Sequence, residues 1–316
     1  HRAAHARDLP RAAHLRVTSA VEPESVLAEV DYLRRVHGFA VTELPVDAKG
    51  RIEPADLETA LRDDTALVTL GYANNEIGTI QDVPALAALA RARRIAFHVD
   101  AVQAAGWLPL SASELGVDAI SIAGHKFGAP PGTGVLAVRG RVPLEPVLHG
   151  GGQERGRRSG TESVAGAVAL ATALTIAEAE RVDAAARVAE FRDDVIEKVL
   201  AAVPTARLTG DPAHRLPGTA SFTFAGTSGE AVLLELERRG IVSSSGSACA
   251  AGSDEPSHVL LALGIPAEVA QTSVRFTFST RHDTRDDPTG RADAEGDARA
   301  LADAVAASVA AVQSAA

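Results

Sequence analysis

The stretch Pro84–Gln103, PALAALARARRIAFHVDAVQ, sets a helix directly against a strand. Pro84–Arg94 has apolar residues at helical spacing, with proline in the first turn. Ile95–Val99 follows as a short apolar run that reads as a strand, and Asp100 closes it. On either side the same alternation recurs. Leu15–Thr18, Ala40–Leu44, Ala66–Leu70, Ala119–Ile122 and Val135–Val138 read as strands, and Glu24–Val36 and Pro54–Leu61 as helices between them. Apolar strands alternating with helices predict an α/β protein with a mostly parallel sheet covered by helices on both faces. In such sheets ligands sit at the carboxyl ends of the strands.

Beyond the sheet, two alanine-rich helical patterns fill 162–202, with a break expected near Arg181–Ala184. Leu208–Phe278 reads as strand–helix–strand–loop–helix–strand, a smaller α+β unit. A polar stretch, Thr280–Asp297, is expected to be an exposed loop before a closing helix at Ala298–Val312. The expected domains are therefore 1–180, large, and 181–316, small.

Composition narrows the function. The chain has 316 residues, 46% hydrophobic and 23% charged, the balance of a globular protein. A net charge of −10 argues against nucleic acid or an anionic membrane as partner. The longest nearly apolar run, Val164–Ala177, is too short to span a bilayer. One cysteine, Cys249, excludes an internal disulfide framework and a cysteine-built zinc site, and points to a reducing, cytoplasmic setting. No metal site is expected. Methionine is absent and the chain starts His1-Arg2-Ala3, which points to a processed or incomplete N-terminus. Of 31 basic residues only Lys49, Lys126 and Lys198 are lysine, so any chemistry that needs an amine has three positions to choose from.

Five segments carry residues suited to chemistry. Lys126 lies in GHKFGAPPG (Gly124–Gly132), just past a strand and among glycines and prolines. That is a setting for a Schiff-base lysine, or for an ordinary surface turn. Asp100, at the end of the preceding strand in HVDAVQ (His98–Gln103), is placed to hold a pyridinium nitrogen protonated, or to cap the next segment. NNEIG (Asn74–Gly78) offers amides to a cofactor oxygen or a substrate carboxylate, and also reads as a plain turn. The glycine-rich, basic run Gly150–Thr161 suits phosphate at a helix N-terminus, or an interdomain loop. Ser243–Ser257 surrounds Cys249 with small polar residues, so an accessible thiol is favoured over a buried one.

Taken in order, NNEIG, HVDAVQ, GHKFGAPPG, HGGGQERGRRSGT (His149–Thr161) and SSSGSACAAGSDEPSHVLLALG (Ser243–Gly264) resemble the cysteine desulfurases. These form a class V group of fold type I pyridoxal-phosphate enzymes, and the resemblance covers residues 14–280. It implies that Lys126 holds pyridoxal 5'-phosphate covalently and then shuttles protons, while Asp100 pairs with the ring nitrogen. Gln103 and Asn75 would bond the phenolic-oxygen side, and His125 the phosphate. Thr161 would reach the phosphate site of a partner subunit in a homodimer. Arg275 would clamp the α-carboxylate of L-cysteine, a task suited to a bidentate guanidinium. Cys249 would take the sulfur as a persulfide, release alanine, and pass the sulfur to an acceptor such as an iron–sulfur scaffold or a tRNA-thiolation enzyme. In a scaffold complex Cys249 could also serve as an iron–sulfur ligand.

The chain departs from that pattern at three places. A T-S-x-x-E-H pattern, whose histidine stacks on the cofactor ring, meets Thr18-Ser19-Ala20-Val21-Glu22-Pro23. A phosphate-binding serine aligns with Ala123. The family's N-terminal segment, with its Gly-Ala-Thr-Glu phosphate motif, does not occur in the sequence, so the chain is expected to be N-terminally incomplete. These departures keep two rivals open: a selenocysteine lyase or related class V enzyme, and a non-catalytic desulfurase remnant.

Overall fold

The computed structural model describes residues 15–140, 142–245, 255–280 and 294–315. The chain divides into two compact units. The first takes the residues up to Pro45 together with Ile52–Tyr72 and Gln81–Glu180, and the second takes Val46–Arg51, Ala73–Ile80 and Arg181 onward. Two short segments from the first third of the sequence thus belong to the second unit.

The first unit holds β1 (Leu15–Ser19), α1 (Glu24–His37), β2 (Ala40–Leu44), α2 (Pro54–Ala60), β3 (Thr65–Gly71), α3 (Val83–Ala92), β4 (Ala96–Asp100), α4 (Ala112–Leu115), β5 (Ala119–Ala123) and β6 (Gly134–Val138). Its sheet has the order β2-β1-β3-β4-β5-β6. All neighbouring pairs are parallel except β5 and β6. The mostly parallel sheet expected from the alternation is therefore present. Val17, Val68, Leu70, Phe97 and Val99 are fully buried in its central strands. β6 forms one edge and leaves Val135 and Leu136 exposed.

Helix ends in this unit follow their sequence signals. Asp82 caps α3 by accepting the Ala85 N–H, with Pro84 in the first turn. Gly38 ends α1 with φ of 69°, a left-handed conformation that costs glycine least. The chain order turns around between β1 and β3: β2 lies to one side of β1, and every later strand lies to the other. The carboxyl ends of β1, β3, β4 and β5 therefore share the edge where open α/β sheets bind ligands.

The helix that follows differs from expectation. One uninterrupted helix, α5 (Val164–Ala202), stands where two with a break near Arg181–Ala184 were expected. From Ala167 to Ala202 the sequence has neither glycine nor proline to stop it. The division between the two units falls inside this helix.

The second unit continues with β7 (Ala206–Leu208), β8 (Thr219–Phe224), α6 (Gly229–Arg238), α7 (His258–Ala262), α8 (Ala267–Ala270), β9 (Val274–Thr277) and α9 (Ala294–Ala315). β7, β8 and β9 make a small antiparallel sheet with β8 in the middle. Two strands precede α6, where one was expected. The strand expected between α6 and the cysteine loop is reduced to a single bridge, Ser244 to Arg275. Val242 there is 91% exposed, and the serines after it offer no apolar face to bury. Of the expected loop Thr280–Asp297, residues 281–293 lie outside the described residues, and α9 has already begun at Ala294.

Phe222, Phe224 and Phe276 form the aromatic centre of this small sheet, with Phe222 6.1 Å from Phe224 and 6.2 Å from Phe276 by ring centroids. All three are buried, together with Val232 and Leu236 of α6. Replacing Phe222 by alanine is expected to cost about 3–5 kcal/mol by leaving a cavity. Denaturant unfolding of the purified chain, followed by circular dichroism, checks this.

Candidate active site

In the first unit, the end of β4 carries a buried polar ladder. His98 lies between Thr69 of β3 (Oγ1 to Nδ1, 2.9 Å) and Ser121 of β5 (Nε2 to Oγ, 3.2 Å). Burial pushes its pKa down to about 4, so this imidazole is neutral at physiological pH. Two residues on, and so on the same face of the strand, Asp100 is half-buried. Its Oδ1 accepts the Val102 N–H at 2.9 Å. Burial raises its pKa and the Val102 bond lowers it. Its backbone is fixed on both sides, because Tyr72 N donates to Asp100 O and Ala101 N donates to Ser121 O. Gln103 is half-buried in the turn that follows.

One strand over, β5 ends in a single 3-10 turn, Gly124–Lys126, that presents His125 and Lys126 exposed. The turn is tied back by Gly124 N to Thr133 O at 2.9 Å and Ala129 N to Gly124 O at 3.0 Å. A Cβ at Gly124 would collide with Thr133 Oγ1 and stand 2.9 Å from Ala129, so the close approach needs glycine. Ala123, where a serine was expected in the family, ends β5 without a hydroxyl. Thr161 is exposed shortly before α5 begins.

The second unit assembles a different set. Asn74 Oδ1 accepts the N–H groups of Glu76 and Ile77 at 2.8 and 2.9 Å, an Asx turn that shapes Asn74–Gly78. Arg275 of β9 donates from Nη1 to the Asn75 carbonyl at 2.5 Å. Arg275 also exchanges both backbone bonds with Ser244, at 2.7 and 3.1 Å. Ser257 Oγ donates to Glu76 Oε2 at 2.5 Å, and the same oxygen caps α7 through the Leu260 N–H. Glu76 is 5% exposed. Burial raises its pKa, while the Ser257 bond and the nearby His258 and Arg275 lower it.

The structure thus groups Asp100, Gln103, His125 and Lys126 along the strand ends of one unit, with Thr161 in the same unit. It joins Asn75 to Arg275 in the other. Cys249 lies outside the described residues, between the flanking positions Ser244 and Ser257. Two buried carboxyls, Glu22 and Glu76, were not singled out from sequence. Glu22 stands in Thr18–Pro23 and Glu76 in Asn74–Gly78.

Residues 4–287 match the aminotransferase class-V family. Over 270 residues the chain is 43% identical to the cysteine desulfurase IscS of Dictyoglomus turgidum, covering 84% of this chain and 68% of that protein. Among solved structures, a NifS-like protein superposes with a TM-score of 0.82 at 31% identity, covering 97% of this chain and 76% of the other. The structure described as SspA in complex with cysteine gives 0.72 at 32% identity, covering 84% and 73%. The chain belongs to the aminotransferase class-V family, in its cysteine desulfurase group. It spans about two thirds of the length of the curated relatives it matches. Among the described residues no helix is long and apolar enough to cross a membrane.

Removing the Ser257 hydroxyl would strip a buried carboxyl of its donor and α7 of its cap. Ser257→Ala is expected to destabilise the chain by about 2 kcal/mol, while Ser257→Thr keeps most of the stability. Thermal unfolding of the two variants side by side measures the difference.

Proposed function

We propose that the chain is a pyridoxal-phosphate-dependent cysteine desulfurase that converts L-cysteine to L-alanine and carries the sulfur as a persulfide on Cys249. The observation that carries this reading is the pair at the sheet edge. The half-buried carboxylate of Asp100 ends β4, and the exposed amine of Lys126 follows β5, its neighbour in the sheet. The residues present fit the cofactor. A carboxylate whose burial raises its pKa gains from a cationic partner, as a protonated pyridine would be. The close-packed Gly124 turn holds the lysine on a short, rigid segment.

When bound, pyridoxal phosphate supplies an electron sink for the pair released at the substrate Cα. Asp100 would hold the ring nitrogen protonated. The Lys126 amine would hold the cofactor and, once free, would move a proton at the substrate carbons. His125 would contact the phosphate and Gln103 the phenolic-oxygen side, with Asn75 read in that same role from the family resemblance. Arg275, with its guanidinium already aimed at the Asn75 carbonyl, takes the substrate α-carboxylate as a bidentate partner. The Cys249 thiolate attacks the substrate sulfur: an S–S bond forms, the C–S bond breaks, and its electron pair stays on carbon, where protonation yields alanine.

Thr161 is read as reaching a partner subunit's phosphate site, which makes the working form a homodimer. The persulfide goes to an acceptor protein, an iron–sulfur scaffold or a tRNA-thiolation enzyme. The single cysteine and acidic composition support a cytoplasmic reaction without direct nucleic-acid contact.

The test is alanine release from L-cysteine by the purified chain loaded with pyridoxal phosphate. Cys249→Ala is expected to lower alanine formation at least about 100-fold while keeping the visible cofactor band, and Lys126→Ala to lose that band. Intact cysteine turnover in Cys249→Ala would overturn the persulfide route. Faster turnover of L-selenocysteine, independent of Cys249, would indicate a lyase.

A further inference from the structure

Between β1 and α1, at the point where the strand order turns around, Glu22 is 2% exposed. Its Oε1 accepts the Ser19 hydroxyl at 2.6 Å and the Gly71 N–H at 3.1 Å. Gly71 ends β3 and is the register partner of Asp100 at the end of β4. The Glu22 carboxyl is therefore bonded to the backbone position directly across from Asp100. None of the roles given above uses it.

Groups that face it include the Ser19 hydroxyl from β1, the Gly71 N–H from β3, and the Asp100 carboxyl from β4. His98, two residues before Asp100, is neutral. Burial raises the Glu22 pKa to about 7, the two hydrogen bonds lower it, and the Asp100 charge raises it again. A buried carboxyl and a half-buried one on adjacent strand ends favour a single negative charge between them.

We propose that Glu22 is a positioning residue for Asp100. Held as a neutral acid at the end of β1, it leaves the negative charge on Asp100 and releases its own proton when a cation settles beside that carboxylate. The part that concerns a cofactor cation rests on the reading of Asp100 given above. Linkage then makes cofactor binding release a proton from Glu22, so affinity rises with pH through neutrality.

The sign in the cofactor-free protein is opposite and separable. A carboxyl whose folded pKa is raised from 4.5 to about 7 contributes most below pH 4.5, and that contribution is lost as pH rises through 7. Glu22→Gln stays neutral throughout. The experiment measures melting temperature from pH 5 to 8 for the cofactor-free chain, Glu22→Gln, Asp100→Asn and the double variant. It adds the affinity for pyridoxal phosphate at pH 6 and pH 8.

Melting temperature of Glu22→Gln is expected to gain on the parent by a few degrees (about 2–5 °C) between pH 5 and 8, and by less in the Asp100→Asn background. Parent affinity should rise about 3-fold more than that of Glu22→Gln between pH 6 and 8. If Glu22→Gln does not fold, Ser19→Ala serves instead. It removes a donor to the carboxylate and should move the parent's pH transition upward. A pH-independent gap, or one untouched by Asp100→Asn, overturns the proposal. The expected stability pattern with cofactor affinity unchanged in Asp100→Asn supports the carboxyl pair and overturns the assignment of Asp100 to the ring.

Discussion

A carboxylate held partly out of water at a strand end is the constraint around which the first unit is arranged. Asp100 would be costly there without compensation. The Val102 N–H supplies part of it, and the parallel register of β3, β4 and β5 fixes the backbone that aims it. The rest of the edge is organised to limit further charge. His98 is neutral between two hydroxyls, and Glu22 is pushed toward its neutral form. An edge so prepared would accommodate one incoming cation, as the proposed ring-nitrogen role of Asp100 requires.

The second unit solves a different problem, the placing of a guanidinium. Arg275 is held through its backbone by Ser244 and through its side chain by the Asn75 carbonyl. Glu76, next to Asn75, is fixed in turn by Ser257. The two residues that flank the Cys249 segment thus each connect to the Asn75–Glu76 turn, one through Arg275 and one directly. If Arg275 takes a substrate carboxylate, as proposed, binding would act on the same small set of hydrogen bonds.

Much of the fold was legible because parallel strands buried on both faces read as short apolar runs, as Ile95–Val99 and Ala119–Ile122 do. The strand-end positions of the candidate residues Asp100 and Lys126 were legible because each follows such a run, Lys126 in a glycine-rich setting that packing demands at Gly124. The continuity of α5 was not, since charged positions around Arg181–Ala184 look like a break while the absence of glycine and proline decides against one. Nor does local sequence show that Val46–Arg51 and Ala73–Ile80 join the second unit. That depends on bonds over long separations, such as Thr79 Oγ1 to Lys49 O and Asp211 N to Thr79 Oγ1. Glu22 and Glu76 were passed over for the same reason: a carboxyl's burial is set by distant partners.

The proposed reaction requires Lys126 to hold the cofactor, and the scarcity of lysine makes that directly measurable. With only Lys49, Lys126 and Lys198 in the chain, hydride trapping of bound pyridoxal phosphate followed by peptide mass spectrometry has three positions to choose among. The account predicts one pyridoxyl-modified peptide, carrying the label on Lys126. Label on Lys49 or Lys198 in its place, or an unmodified Lys126 after saturation with cofactor, would contradict it.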